Sequence, residues 1–305
     1  MATAAEWWHG ARPRTLPAAI APVFVGTGIA IGAGAANWTR AGLALIVALL
    51  LQVGVNYAND YSDGIRGTDQ ERVGPIRLVG QGRATPRAVR TAALLSLASA
   101  GVIGALLIAL TGEWWLFIVG AACILAAWFY TGGRRPYGYL GLGEVFVLVF
   151  FGIVPVVGTA YVQMAQMPTS AWIAGVGIGL VSCAILVTNN LRDIPSDAAS
   201  GKITLAVRLG DRGTRVLYVC LLSAALLAVP VLAGLGVANV GSGSGWWPLL
   251  ALASFIQAIG PLGLITGGAT GRDLVPALKG TGTLLLVYGA LLGLGLALGG
   301  VSPSW

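Results

Sequence analysis

The chain reads Asn56-Tyr-Ala-Asn59-Asp60-Tyr-Ser-Asp63-Gly-Ile-Arg66-Gly-Thr-Asp69 at the end of an apolar segment. A second polar stretch, Asn189-Asn190-Leu-Arg192-Asp193-Ile-Pro195-Ser-Asp197-Ala-Ala-Ser-Gly201-Lys202, also follows an apolar segment. Charged residues make up only 10% of the chain, so two concentrations of aspartate are unusual. We therefore predict that the two stretches form the two halves of one functional site.

The composition predicts a membrane protein. Of the 305 residues, 56% are apolar, and the mean hydropathy is +0.83, whereas a soluble domain carries about 25% charged residues. A transmembrane helix needs about 20 apolar residues. We predict an all-α integral membrane protein with about nine transmembrane helices, forming a single domain over residues 1–305. The candidate segments are roughly 15–36, 41–58, 88–111, 114–131, 142–164, 171–191, 213–236, 246–269 and 274–299.

The basic residues predict the orientation of these helices. All of the 18 Lys and Arg residues except Arg40 fall at the amino terminus or in the loops that follow even-numbered segments. By the positive-inside rule, the amino terminus and both aspartate stretches face the cytoplasm, and the carboxyl terminus lies outside. The net charge of +7 is distributed between apolar segments rather than along one surface. We therefore predict a multi-pass protein of the cell membrane, with the lipid bilayer as a partner and no nucleic acid.

The aspartates predict a magnesium site. Several carboxylates in close proximity repel one another unless cations neutralise them, and Mg²⁺ prefers oxygen ligands that it shares with substrate phosphates. Basic side chains in the same loops can bind the remaining phosphate oxygens. Most of these arginines are also explained by topology alone. The candidate metal ligands are Asp60, Asp63, Asp69, Asp193 and Asp197.

The two stretches share a spacing. Asn56 and Asp60 are four residues apart, as are Asn189 and Asp193, so each pair is expected to share a helical face and point into the bundle. Pro195 disfavours helical geometry at the residue before it and predicts that the second helix ends or bends there.

The aspartate stretches resemble the two aspartate-rich motifs of the UbiA superfamily of intramembrane aromatic prenyltransferases. The resemblance covers nearly the whole chain and is closest to the branch that prenylates 1,4-dihydroxy-2-naphthoate. In the general superfamily pattern the last acid of the first motif follows by four residues, whereas Asp69 follows Asp63 by six, which makes Asp69 the least certain ligand. The similar segments are Arg12–Pro22, Asn59–Asp69, Tyr130–Glu144 and Gly201–Gly210.

The resemblance implies a UbiA-like bundle with a lipid-accessible cavity. It also implies two Mg²⁺ ions that bridge the aspartate motifs through a polyprenyl diphosphate, and transfer of the polyprenyl group to the naphthoate. The residues expected to act in catalysis are Asp60, Asp63, Asp193, Asp197 and Lys202. Those expected to bind substrate are Asn56, Asn59, Arg14, Arg66, Arg72, Arg134, Arg135, Tyr130, Tyr137, Tyr139, Asn189 and Asn190. Among them, Arg14, Arg134 and Arg135 are candidates for holding the acceptor carboxylate.

Two alternative functions fit the same residues. A related prenyltransferase could use 4-hydroxybenzoate, homogentisate or haem as its acceptor. A cation transporter could use the acidic stretches as a permeation site, although transport sites are usually built near mid-membrane rather than at helix ends. The sequence predicts neither an isoprenoid chain length nor an oligomeric state.

Overall fold

The structure, a computed structural model, describes residues 2–67, 77–240 and 245–300. The described residues form eleven α-helices and no strand. The helices are α1 Ala4–Gly10, α2 Pro17–Gly32, α3 Trp38–Arg66, α4 Pro86–Thr111, α5 Leu116–Phe129, α6 Gly143–Leu148, α7 Val154–Met164, α8 Thr169–Ala199, α9 Leu205–Val240, α10 Ile259–Thr266 and α11 Val275–Gly299. Four 3-10 helices cover Pro13–Thr15, Tyr137–Leu140, Trp247–Ala258 and Gly271–Leu274. A π-helical segment, Val149–Ile153, connects α6 to α7.

The predicted membrane-spanning architecture is confirmed, and each of the nine apolar segments contains a helix. Within the described ranges, seven helices or continuous helix pairs are long and apolar enough to cross a membrane. Residues Ala4–Thr15 and Pro17–Gly32 form an eighth candidate that bends by 49°. The remaining segment corresponds to α5, which is apolar but shorter than these spans.

Small residues allow the helices of the main core to pack closely. A side chain at Gly28 of α2 would collide with the backbone of Gly293 of α11, and one at Gly152 would collide with Gly179 of α8. Such close backbone approach is how transmembrane helices gain packing energy where no water drives them together. The core that results joins α2, α7, α8, α9 and α11, while α3, α4 and α5 lie beside it.

The two motif-bearing helices end on the same side of the bundle. We call this side the polar end and define it by the last residues of α3 and α8, Arg66 and Ala199. Of the two outcomes expected at Pro195, an end of the helix is wrong, because α8 continues through this residue. Proline has no N–H, so the carbonyl of Leu191 loses its usual helical donor, but the helix extends to Ala199 before it ends.

Arg40 closes the opposite end of the bundle. Its guanidinium donates to the carbonyl of Leu110 at 2.7 Å and to that of Val162 at 3.0 Å. These carbonyls lie in the last turns of α4 and α7, where helices leave acceptors unsatisfied. The single basic residue predicted on this side therefore has a structural role.

Candidate active site at the polar end

A cavity of about 540 Å³ lies between α3, α4 and α5 on one side and α2, α7 and α8 on the other. On α3 its wall extends from Ala44 to Asn59, a rise of about 22 Å along the helix. Most of the lining is apolar. Towards the polar end the wall carries side-chain amides, contributed by Gln52, Asn56, Asn59 and Asn189. The cavity therefore combines a long apolar interior with one polar region.

Helical geometry explains which polar residues of α3 line this cavity. Gln52, Asn56, Asn59 and Asp63 occur at intervals of four, three and four residues, which places them on one helical face. The first three are cavity residues. Gln52 is not among the residues predicted from the sequence, although its position four residues before Asn56 is a signal of the same kind.

Asn56 and Asn59 are held in place by neighbouring segments. The Asn56 amide donates to the carbonyl of Ala11 at 2.8 Å and to the Thr15 hydroxyl at 2.9 Å. Asn59 accepts a hydrogen bond of 2.8 Å from the hydroxyl of Thr131, which follows α5. Both side chains are buried, so the amide wall is fixed before any ligand binds.

Asp60 is buried like Asn56, four residues before it on the same helix, but it does not line the cavity. Its carboxylate is fully buried and accepts hydrogen bonds from the backbone N–H groups of Leu78 at 2.8 Å and Val79 at 3.0 Å. Asp60 therefore anchors the chain that leads into α4. A carboxylate has further lone pairs, so this anchoring is compatible with a ligand role.

Tyr139 connects the two aspartate motifs. Its hydroxyl donates a hydrogen bond of 2.8 Å to Asp63. The Arg66 guanidinium lies 5.3 Å from the centre of its ring, and the Lys202 ammonium lies 5.5 Å from it. Lys202 also forms an ion pair of 3.3 Å with Asp197. The predicted residues Asp63, Arg66, Tyr139, Asp197 and Lys202 thus form one cluster of opposite charges.

Asp193 and Asn190 have other partners. The Arg192 guanidinium donates to both oxygens of Asp193, at 2.7 and 2.8 Å, and both side chains are buried. Asn190 donates to Glu144 at 3.3 Å. Asn189 lines the cavity, whereas Asn190 and Asp193 do not.

An aromatic column forms the cavity wall next to the amides. Tyr130 and Tyr137 pack edge to face, and the Tyr137 ring stacks on Phe146 with ring centres 3.8 Å apart. Phe150, in the π-helical segment, extends the column. Burial raises the pKa of Tyr137, so its hydroxyl stays protonated and donates to the carbonyl of Ala126 at 2.6 Å. The two phenylalanines were missed because apolar side chains in an apolar segment carry no signal of their own.

The remaining predicted residues do not join the cluster. Arg14 is exposed between α1 and α2, and Arg134 and Arg135 are exposed in the turn after α5. Asp69 and Arg72 lie outside the described residues.

The oxygen donors at the polar end suit magnesium. No three His, Cys, Asp or Glu side chains within residues 2–67, 77–240 and 245–300 are close enough to hold one metal ion by themselves. Mg²⁺ is often bound by only one or two carboxylates together with water and substrate phosphates. Buried carboxylates next to cationic side chains therefore fit an ion that a phosphate ligand helps to bind.

The sequence and the fold of this chain are similar to those of known proteins. The sequence model of the UbiA prenyltransferase family matches residues 19–265. The chain is 50% identical to 1,4-dihydroxy-2-naphthoate octaprenyltransferase of Mycobacterium tuberculosis, with 99% of this chain and 100% of the relative covered. It is 40% identical to the protein of that name from Escherichia coli, with 82% of each covered.

Solved structures share the fold. A UbiA homologue from Archaeoglobus fulgidus bound to GPP and Mg²⁺ aligns with a TM-score of 0.67 at 14% identity, covering 94% of this chain and 99% of the other. A UbiA homologue from Aeropyrum pernix aligns with a TM-score of 0.68 at 15% identity, covering 90% and 96%.

Proposed function

This chain belongs to the UbiA prenyltransferase family, and from that premise we propose that it prenylates 1,4-dihydroxy-2-naphthoate in menaquinone biosynthesis. The donor is a polyprenyl diphosphate. The products are CO₂, diphosphate and the quinol form of demethylmenaquinone. One observation carries the proposal. A long apolar cavity, which suits a polyprenyl tail, ends at side-chain amides, and these lie beside the charged cluster that includes Asp63, Tyr139 and Lys202.

We assign the diphosphate to the polar end. The residues that would bind Mg²⁺ are the aspartates of the two motifs, Asp60, Asp63, Asp69, Asp193 and Asp197. Because there are two motifs, we propose two ions. Bound magnesium would neutralise the negative charge that builds up on the departing diphosphate. Arg66 and Lys202 contribute positive charge from the protein, and stabilising charge that develops in the transition state accelerates ionisation.

The cavity protects the reactive carbon. The polyprenyl tail occupies the apolar interior, which excludes the water that would quench an allylic cation. The rings of Tyr130 and Tyr137 lie on the wall next to the amides, where aromatic faces can stabilise a cation.

The acceptor chemistry needs no added base. A bond forms between the allylic carbon and the ring carbon that bears the carboxylate, while the C–O bond to diphosphate breaks and its electron pair leaves with the diphosphate. The carboxyl group then departs as CO₂, and the electron pair of its bond restores the aromatic ring. Arg14, Arg134 and Arg135 remain the candidates for guiding the carboxylate, since all three are exposed near the polar end.

We further propose that the chain acts as one domain in the cell membrane, with the polar end in the cytoplasm. The distribution of Lys and Arg supports this orientation.

A prenyl-transfer assay on the purified protein tests the function. Each of 1,4-dihydroxy-2-naphthoate, 4-hydroxybenzoate and homogentisate is offered separately with a polyprenyl diphosphate, with Mg²⁺ or with a chelator. Magnesium-dependent conversion of the naphthoate with release of CO₂ is expected. Product from another acceptor alone would replace the proposed substrate, and no product from folded protein would favour the transporter.

A further inference from the structure

The side-chain oxygen of Gln52 is a buried hydrogen-bond acceptor that has no part in the prenyl transfer proposed above. The residue is 5% exposed and lines the cavity one helical turn further from the polar end than Asn56. Its Oε1 atom is buried and accepts no hydrogen bond from the described residues. A buried polar atom of this kind is uncommon and costly in a protein interior, so it calls for a partner.

The orientation of the Gln52 amide follows from its neighbours. Asn56 donates its Nδ2 to the carbonyl of Ala11 at 2.8 Å, which directs its Oδ1 towards Gln52. The Thr15 hydroxyl donates to the carbonyl of Arg12 at 2.9 Å, so its oxygen is available only as an acceptor. Nε2 of Gln52 lies 3.4 Å from Asn56 Oδ1 and 3.0 Å from Thr15 Oγ1. If the Gln52 amide were flipped, its Oε1 would face the acceptor oxygens of Asn56 and Thr15. The amide therefore places Nε2 there, and Oε1 is the atom without a hydrogen-bond donor.

The missing partner must be a hydrogen-bond donor. The polyprenyl diphosphate is excluded, because its tail is apolar and its ionised phosphates only accept hydrogen bonds. A hydroxylated aromatic acceptor brings O–H donors into the same cavity. Gln52 is separated from Asn56 by four residues, about 6 Å along the helix axis, which leaves room for a ring next to Gln52 and beyond Asn56.

We propose that Gln52 is a positioning and specificity residue whose Oε1 accepts a hydrogen bond from a ring hydroxyl of the aromatic acceptor. This inference rests on the proposed prenyl transfer. The bond orients the ring towards the allylic carbon. It also draws the hydroxyl proton towards Oε1, which raises the electron density of the ring and favours its attack.

The test compares the naphthoate with two analogues, 1-hydroxy-2-naphthoate and 4-hydroxy-2-naphthoate, each of which lacks one hydroxyl. The analogues are used as competitive inhibitors of naphthoate prenylation, because the one without the 1-hydroxyl has no hydroxyl ortho or para to the reacting carbon and cannot be turned over. The ratio of each inhibition constant to the KM for the naphthoate is measured for the wild type and for Gln52→Met, which keeps the length of the side chain but has no oxygen. This ratio gives the preference for the dihydroxy acceptor in binding, so it does not depend on the reactivity of the ring. Gln52→Leu serves the same comparison if the methionine variant does not fold.

A matched control distinguishes the loss of the Oε1 acceptor from a disturbance of the hydrogen bonds made by Nε2. Thr15→Val removes a partner of Nε2 and leaves Oε1 in place. Whatever its turnover, this variant is expected to keep the wild-type preference.

In Gln52→Met, the preference for the dihydroxy acceptor over one of the analogues is expected to fall about tenfold, the effect of one hydrogen bond. The KM for polyprenyl diphosphate is expected to remain unchanged. An unchanged preference in Gln52→Met, or an equal loss in Thr15→Val, would overturn the assignment of Oε1 while leaving the proposed function intact. If the wild type does not convert 1,4-dihydroxy-2-naphthoate, the proposed function fails and the inference fails with it.

Discussion

The hydroxyl of Tyr139 donates a hydrogen bond of 2.8 Å to Asp63. The cationic groups of Arg66 and Lys202 lie 5.3 and 5.5 Å from the centre of the same ring, and Lys202 in turn pairs with Asp197. One aromatic side chain from the segment between α5 and α6 therefore connects the aspartate motif of α3 to that of α8. This arrangement makes the charged cluster a single unit rather than two separate helix ends.

Removing the Tyr139 hydroxyl should impair catalysis without disrupting the fold. Tyr139→Phe keeps the ring next to the two cations but removes a hydrogen bond to a charged group, which is worth about 1.5–3 kcal/mol. We expect kcat/KM to fall about 10- to 100-fold, as measured by prenyl transfer at saturating acceptor.

Tyr137→Phe is the matched control for this substitution. The Tyr137 hydroxyl donates to the carbonyl of Ala126, away from the carboxylates, so its loss should affect stability more than turnover. Equal activity losses in the two variants would show that the Tyr139 hydrogen bond has no special role.

Lys202 should contribute to binding of the diphosphate. Its ammonium is 3.3 Å from Asp197 and close to the Tyr139 ring, where a phosphate can replace part of this pairing. Lys202→Met is expected to raise the KM for polyprenyl diphosphate about tenfold, within the range for a hydrogen bond to a charged group, and to change the KM for the acceptor much less. The control is Lys279→Met, which alters the other lysine of the chain, exposed on α11. A similar KM in both variants would contradict this role.

Asp60 and Asp63 should differ in their effect on stability, although both variants are expected to lose turnover. Asp60→Ala leaves the N–H groups of Leu78 and Val79 without their acceptor, at a cost of about 1–3 kcal/mol for each buried donor. Asp63→Ala releases the hydroxyl of Tyr139, which is only partly buried and can bond to water. We expect a lower midpoint of thermal unfolding in detergent for Asp60→Ala than for Asp63→Ala. Equal midpoints would contradict the anchoring role of Asp60.

The sequence predicted the class of fold and the parts of the site that depend on polarity. Charged and amide side chains stand out in apolar segments because their burial is costly, which is why Asn56, Asn59 and Asp63 could be selected. The long-range contacts could not be predicted in the same way. The donors to the Asp60 carboxylate, the N–H groups of Leu78 and Val79, follow it by 18 and 19 residues. The continuation of α8 beyond Pro195 to Ala199 is likewise not predicted by the local sequence rule for proline.

Residues without a polar signal were hidden altogether. Phe146 and Phe150 belong to the cavity wall, but they resemble the other large apolar residues of a transmembrane segment. Glycines are equally uninformative in sequence, because a glycine that allows close helix packing and one that leaves space for a ligand look the same. Gly152 is of the first kind, and Gly158 is of the second.

Gly158 should therefore control the length of the polyprenyl tail. It lines the cavity on α7, well beyond α6 and the polar end, and a Cβ atom built on it meets no other atom within 4 Å. Gly158→Leu adds a side chain to the space that we assign to the distal part of the tail. Activity with a long polyprenyl diphosphate should fall at least tenfold, whereas activity with geranyl diphosphate should be retained, as measured by kcat/KM for both donors. Gly234→Leu is the control, because Gly234 is equally open but is exposed on α9 and does not line the cavity. If the leucine at position 158 lowers activity equally with both donors, the tail does not extend past this position.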